Sequence, residues 1–567
     1  MVDRKSLVYT IIINLFFLAL CLIFGKLRFG ALDDYFMSGI LSGMYGEGYN
    51  VHLTFVNALY GYALYPFYYM FPKINWYYIG EMASVFISLT VAGYIIIKKT
   101  GDKWGPILTA LLVALCASDF YLVVQFTQCA AILSAVGMLV FVYGIDKLSE
   151  SNKYSKSELL PIALGIFLLW WGSLMRWPAF LMGMPFFCCA LLFQVKKFWN
   201  AKWAVIIGLL VTFVGAYGFQ QFDRSLYQDP EYKKYMDFQG PRALLGDGKN
   251  YNQQAVYEDL EEVGFSGNDY AMLTQWIFYD KEVFAPESIR VVTNAIGRYI
   301  FRNSVQSLPI MILKTLKTFI YHPIFIAWLI FTLALFLCNP KKGLWPWISF
   351  LMAAYLIALL LNQQRLVYRV ETGVWLYATV LTIPLLKERF KISNKVAFGA
   401  LAIIALCNLY SYATTGREIR SADTGGNELS KDEMTDSTDY KGFWSYMESL
   451  PDSTVFLMSM NSYMRLYRKG VPPYIAEAPG SWSRIYSFGY WTPYFPDVET
   501  ALHKHGVTNP IRDVVKENVF VVEEPSLEDF LEHHHYDKVK KDSIRDFKNF
   551  VVYKYSTVTD STVETVP

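Results

Sequence analysis

Residues 7–46 read LVYTIIINLFFLALCLIFGKLRFGALDDYFMSGILSGMYG. Residues 7–25 contain no charged side chain, and a helix needs about 17 to 25 apolar residues to cross a hydrocarbon core. Arg4 and Lys5 precede the run and Asp33 and Asp34 follow it. The chain is therefore expected to cross the membrane once and to emerge with two adjacent carboxylates close to the far surface. A basic start and an apolar run also describe a secretory signal, but no small-residue cleavage site follows, so the segment is read as retained.

The same pattern recurs. Of 567 residues 54% are hydrophobic, 17% aromatic and only 18% charged, which is outside the usual soluble range. Further apolar runs fall near 76–97, 105–124, 126–145, 159–175, 177–195, 203–220, 316–338, 344–361, 370–386 and 396–413, giving about eleven crossings. All seven cysteines lie within apolar stretches, so the polar parts fold without disulfides or thiolate metal sites. A net charge of +2 provides no basic field, which argues against a nucleic-acid partner.

Basic residues in short loops mark the cytoplasmic side. Threading the runs alternately places there Arg4 and Lys5; Lys98, Lys99 and Lys103; Lys147, Lys153 and Lys156; Lys196, Lys197 and Lys202; Lys341 and Lys342; and Lys387, Arg389, Lys391 and Lys395. The N-terminus is then cytoplasmic, and 26–75, 221–315 and 414–567 share the outer side. Strand-like runs at 454–460, 518–523 and 549–555, with a helical pattern at 526–535, predict a small extracytoplasmic α/β domain over 416–567. Residues 1–415 form the transmembrane domain, and the Thr-, Ser- and Val-rich end after Ser556 is expected to fray.

Candidate chemistry lies on the outer side. The apolar positions from Tyr35 to Met44 suit a helix along the membrane surface with Asp33 and Asp34 at its N-terminus. Acidic residues favour that position for capping alone. A carboxylate partly shielded from water is also able to act as general base toward a hydroxyl, and two together can bind a divalent cation. Adjacent side chains diverge on a helix, so one as base and the other as cap or metal ligand is favoured over a shared role, with Asp33 slightly preferred as base.

The short outer loops carry only arginine, against the orientation rule: Arg176 in Leu-Met-Arg-Trp-Pro, and Arg365 and Arg369 in Asn-Gln-Gln-Arg-Leu-Val-Tyr-Arg. The guanidinium fork matches phosphate oxygens, while snorkelling or pairing with Glu371 is the plainer explanation. If that turn is helical, the spacing puts Arg365 and Arg369 on one face. Asp119, near a span end and followed by Gln125, has either a substrate-facing role or a helix-bonding one. In the 221–315 loop, Asn268, Asp269 and Trp276 have the hydrogen-bonding groups and aromatic face that hold sugars, although Ser-Gly-Asn-Asp is also an ordinary helix start. His533, His534 and His535, with His503 and His505, read as a solvated surface cluster and not as a metal site. No P-loop, dinucleotide fingerprint or serine-nucleophile motif is present.

With these residues in place, the chain resembles the GT-C class of integral membrane glycosyltransferases, which includes the protein mannosyltransferases and the aminoarabinose transferases. The resemblance rests on the Asp33-Asp34 pair in the first external loop, the second large external loop between the seventh and eighth spans, and a soluble domain after the last span. Asp-Asp-Tyr-Phe-Met-Ser-Gly-Ile-Leu-Ser-Gly-Met-Tyr-Gly and Phe-Ser-Gly-Asn-Asp-Tyr are similar to stretches of bacterial members. It covers roughly residues 1–415. It implies a location in the bacterial cytoplasmic membrane and a polyprenyl-phosphate-linked sugar donor. It also implies a glycan, lipid or protein acceptor, activated by Asp33 or Asp34. The Trp-Trp-Asp-type motif of oligosaccharyltransferases is missing, which favours a single sugar as cargo. The expected reaction is inverting transfer to an acceptor hydroxyl, with phosphate leaving toward Arg365, Arg369 or Arg176. A lipid or polysaccharide transporter or flippase, or a polysaccharide polymerase or ligase, is the alternative.

Overall fold

A computed structural model describes residues 3–25, 27–151, 154–246, 250–301, 309–310, 313, 322–389, 393–414, 438–470, 472–522, 527–547 and 551–558. Lys153, Lys391, the start of the 316–338 run and the tail beyond Val558 lie outside these residues. The chain divides into two compact units. One comprises 1–38, 51–223 and 303–427; the other comprises 39–50, 224–302 and 428–567.

The first unit is helical because hydrocarbon offers no partner for backbone N–H and C=O groups, and a helix satisfies them within one segment. Six helical stretches among the described residues have the length and apolarity to cross a membrane: Arg4–Phe24, Trp76–Leu122, Phe126–Ser151, Lys156–Met175, Lys202–Leu226 and Pro340–Asn362. Trp177–Phe193, Pro323–Cys338 and Asn394–Tyr410 are shorter apolar helices. The protein is thus a polytopic α-helical membrane protein. Trp76–Leu122 covers two of the expected runs, because Gly101 (φ 85°, ψ 171°) breaks the helix between them. At its far end, regular helix gives way at Ser118 to a π-helical turn, Ser118–Leu122.

The helix Phe126–Ser151 is the buried centre, with its apolar window wholly enclosed by neighbours. Small residues permit that enclosure. A Cβ on Gly165 would come within 2.8 Å of the Gly137 carbonyl oxygen and the Phe141 nitrogen, so the two backbones touch where these glycines meet.

The second unit contains a five-stranded sheet in the order Ile485–Ser487, Val455–Met458, Val519–Val522, Val551–Thr557, Val539–Asp546. The first three strands are parallel, with Phe456 opposite Ile485 and Val455 opposite Val519, and the last two form an antiparallel pair. The α/β pattern expected of the C-terminal segment is therefore present, but that segment shares its unit with 39–50 and 224–302. Backbone bonds join it to the first of these, from Gly480 N to Gly43 O (2.9 Å) and from Trp482 N to Met44 O (3.0 Å). None of the seven cysteines forms a disulfide.

Candidate active site

The candidate site is assembled in the first unit where the chain emerges from its first helix. Arg28–Phe29 pairs in parallel with Val123–Val124, and Gly30 N donates to Val124 O at 2.7 Å. Space at position 30 is tight: a Cβ there would sit 3.0 Å from Val123 Cγ1 and 3.1 Å from Gln125 Cβ, so those neighbours would have to give way by a few tenths of an ångström. This pairing ties the start of the helix Leu32–Leu41, with Asp33 and Asp34 in its first turn, to the segment between Asp119 and Phe126.

The two aspartates diverge. Asp34 is fully buried, and its Oδ1 accepts from the backbone N–H of Phe126 (3.2 Å) and the hydroxyl of Tyr77 (3.1 Å). It therefore satisfies one of the orphan donors at the start of the helix Phe126–Ser151. Gln125 Oε1 satisfies two more, Thr127 N (2.8 Å) and Gln128 N (3.1 Å). Burial pushes the Asp34 carboxyl up, to about 8. Asp33 is half-buried, and its charge acts on Arg176.

Arg176 breaks the chain between Lys156–Met175 and Trp177–Phe193 in an extended conformation (φ −158°, ψ 104°). Its guanidinium lies over the rings of Phe55 (5.5 Å) and Phe126 (5.3 Å), which are themselves stacked. Burial lowers its pKa; Asp33 opposes that effect, while Arg369 and Arg365 add to it. Asp33, Arg365 and Arg369 thus each act electrostatically on Arg176. Arg365 and Arg369 do not share a helical face as the spacing suggested. The helix Leu344–Asn362 ends before Gln364, whose φ of 54° turns the chain, and the next helix starts only at Tyr368.

Asp119 sits in the π-helical turn, almost completely buried, and accepts from the Tyr368 hydroxyl at 2.5 Å. Tyr368 stacks on His322 with ring centroids 4.7 Å apart. His322 Nδ1 accepts from Ile324 N (3.2 Å), which assigns the proton to Nε2, within 3.2 Å of Thr372 Oγ1. A small, partly open pocket is lined by Gly30, Asp119, Val123, Gln125, Gln128, Tyr368 and Arg369. Asp119, Gln125 and Arg369, chosen separately along the sequence, therefore meet around one opening.

Among solved structures, ArnT from Cupriavidus metallidurans in its apo state is similar to this chain at 11% sequence identity and a TM-score of 0.42, over 95% of this chain and 97% of that one. ArnT bound to undecaprenyl phosphate is similar at 11% identity and a TM-score of 0.41, over 96% and 97%. The apo oligosaccharyltransferase of Archaeoglobus fulgidus is similar at 12% identity and a TM-score of 0.41, over 93% and 70%. No family model matches the sequence, and no curated protein does.

Three expected site residues belong to the second unit. Asp269 closes a capping box with Ser266, and its Oδ1 pairs with His534 Nε2 at 2.8 Å. Asn268 Nδ2 donates to Met272 Sδ at 4.0 Å. The Trp276 ring is faced by the buried guanidinium of Arg242 (4.9 Å), so its aromatic surface is occupied from within the protein. The histidine cluster is solvated only in part: His533 and His503 are exposed, whereas His534 and His535 pair inward. His535 is buried, with Nε2 2.8 Å from Asp280 Oδ2, because two loop carboxylates reach the end of the helix Glu528–His534. Glu371, offered as a partner for the arginines, takes part in no ion pair among the described residues, and its Oε1 is buried without a hydrogen-bond partner. No group of three or more His, Cys, Asp or Glu side chains among the described residues is arranged to hold a metal ion.

Sequence reasoning passed over Glu81, Tyr368 and His322. Glu81 had a signal: it is an acid within an apolar run, a placement that calls for a reason. Tyr368 stood inside the quoted arginine motif, but its partner 249 positions away is not legible along the chain.

Proposed function

We propose that the protein is a GT-C-type membrane glycosyltransferase that moves a sugar from a polyprenyl-phosphate carrier to an acceptor hydroxyl. The observation that carries this reading is the convergence of Asp33 with Arg176, Arg365 and Arg369, beside a cavity that Asp119, Gln125 and Arg369 line. Arg365 and Arg369 act on Arg176 as like charges, and a bound phosphate offsets that repulsion.

Asp33 is the general base. Asp34 has its Oδ1 committed to Phe126 and Tyr77, whereas the charge of Asp33 acts on Arg176. As the acceptor oxygen attacks the anomeric carbon, its proton passes to Asp33. The bond from that carbon to the phosphate oxygen breaks on the opposite face, and configuration inverts. The phosphate departs with the electron pair, and the arginines stabilise the charge that grows on it. Arg176, fixed in plane by Phe55 and Phe126, needs no reorganisation to do so.

The basic short loops support a cytoplasmic N-terminus and an outward-facing site, in a bacterial cytoplasmic membrane. The acceptor is a glycan, lipid or protein hydroxyl. The test is incubation of the purified protein with a panel of polyprenyl-phosphate sugars and candidate acceptors. Turnover of at least one sugar, abolished by Asp33→Asn, is the expected result. Full activity of that variant refutes the assignment.

A further inference from the structure

Glu81 lies on the helix Trp76–Ala117, one turn beyond Tyr77, and its carboxyl is within hydrogen-bonding reach of Asp34. Both side chains are completely buried. Asp34 Oδ2 and both Glu81 carboxyl oxygens receive no donor from any other described residue. The titratable groups that act on the pair are the hydroxyls of Tyr60, Tyr77 and Tyr78, the Cys129 thiol and the Asp33 carboxylate, none of them cationic. Two ionised carboxylates offer only acceptors, and facing each other in a dry site they repel. A proton on one turns it into the donor the other lacks.

We propose that Asp34 and Glu81 share one proton across their facing oxygens, and that this acid pair is the positioning device that seats the first turn of Leu32–Leu41 against the start of Phe126–Ser151. Phe126 N–H and Tyr77 hold Asp34 by one oxygen, and Glu81 holds it by the other. With Asp34 fixed on both sides, the direction of Asp33, its neighbour on the same turn, is fixed too. This functional half rests on the reading of Asp33 as base; the shared proton does not.

The test is infrared spectroscopy of the full-length protein in detergent, in water and deuterated water. The wild type should show the carbonyl band of a protonated carboxylic acid. Glu81→Gln should remove it, because the amide donates to Asp34 in place of the proton. Asp34→Asn should remove it as well, because that amide donates to Glu81 in place of the proton. As a conservative rescue, Glu81→Gln should keep the melting temperature and turnover of the active lipid-phosphate sugar, while Glu81→Ala should lower turnover on the order of 100-fold through displacement of Asp33. A wild-type-minus-Glu81→Gln difference spectrum without a protonated-acid band overturns the shared proton. A folded Glu81→Ala protein with wild-type melting and turnover overturns the positioning role. An active Asp33→Asn variant would instead sink the assignment of the base and leave the infrared result standing.

Discussion

Replacing Asp33 and Asp34 one at a time should separate chemistry from scaffolding within a single helical turn. Asp33→Asn removes the proton acceptor while keeping the shape of the side chain. Loss of a general base costs about 10²- to 10⁴-fold in rate, or roughly 2.7 to 5.4 kcal/mol in the barrier. The side chain is half-buried on the surface of the site, so its melting temperature should stay near that of the wild type. Asp34 should behave in the opposite sense. Asp34→Asn still offers an acceptor to Phe126 N–H and Tyr77 and a donor to Glu81, so its stability cost should be about 1 kcal/mol or less. Asp34→Ala abandons two buried donors at about 1 to 3 kcal/mol each, roughly 2 to 6 kcal/mol together. The assay pairs thermal melting with transfer from the active polyprenyl-phosphate sugar, measured on the three variants side by side. A dead Asp34→Asn beside a fully active Asp33→Asn would reverse the roles, and activity in both would remove general-base catalysis from this turn altogether.

Further outcomes follow from other contacts. Tyr368→Phe deletes a hydrogen bond to a nearly buried carboxylate at 2.5 Å and should cost about 1.5 to 3 kcal/mol in stability, visible as a lower melting temperature. Arg176→Lys keeps the charge but loses the stack over Phe55 and Phe126, worth about 0.5 to 2 kcal/mol, so lipid-phosphate binding by calorimetry should weaken about 2- to 30-fold; unchanged affinity would place the phosphate elsewhere. Because burial raises the Asp34 carboxyl to about 8, the folded chain keeps a proton that the unfolded chain releases near its ordinary value of about 3.9. The Asp34 contribution to stability should therefore be full at low pH and fall by up to about 1.4 kcal/mol per pH unit between those values, and the pH dependence of melting across that range should be flatter in Glu81→Gln than in the wild type. His535→Ala strips one partner from the fully buried Asp280 and should destabilise the second unit by about 1 to 3 kcal/mol, read from proteolysis of the 528–557 region.

The apolar runs determined most of the architecture. Spanning length is a local property of the chain, and a helix is the one conformation that satisfies its own backbone in hydrocarbon, so apolar helices stand at most of the runs, six of them long enough to span among the described residues. The α/β character of the C-terminal segment was legible for the same reason, through short alternating runs that reappear as Val455–Met458 and Val519–Val522. Candidate residues were legible as anomalies: acids directly after a span, arginines on the side that orientation would leave without them. Their meeting was not. Whether Arg176 and Arg369 reach Asp33 depends on which helices become neighbours, and no periodicity encodes that. Only the tertiary structure paired Arg28–Phe29 with Val123–Val124, gave Asp34 the N–H of Phe126 to cap, set Glu81 against it, and drew His534 and His535 onto Asp269 and Asp280. A buried polar atom must find a partner wherever packing leaves one within reach, and that partner is decided in space and not along the chain.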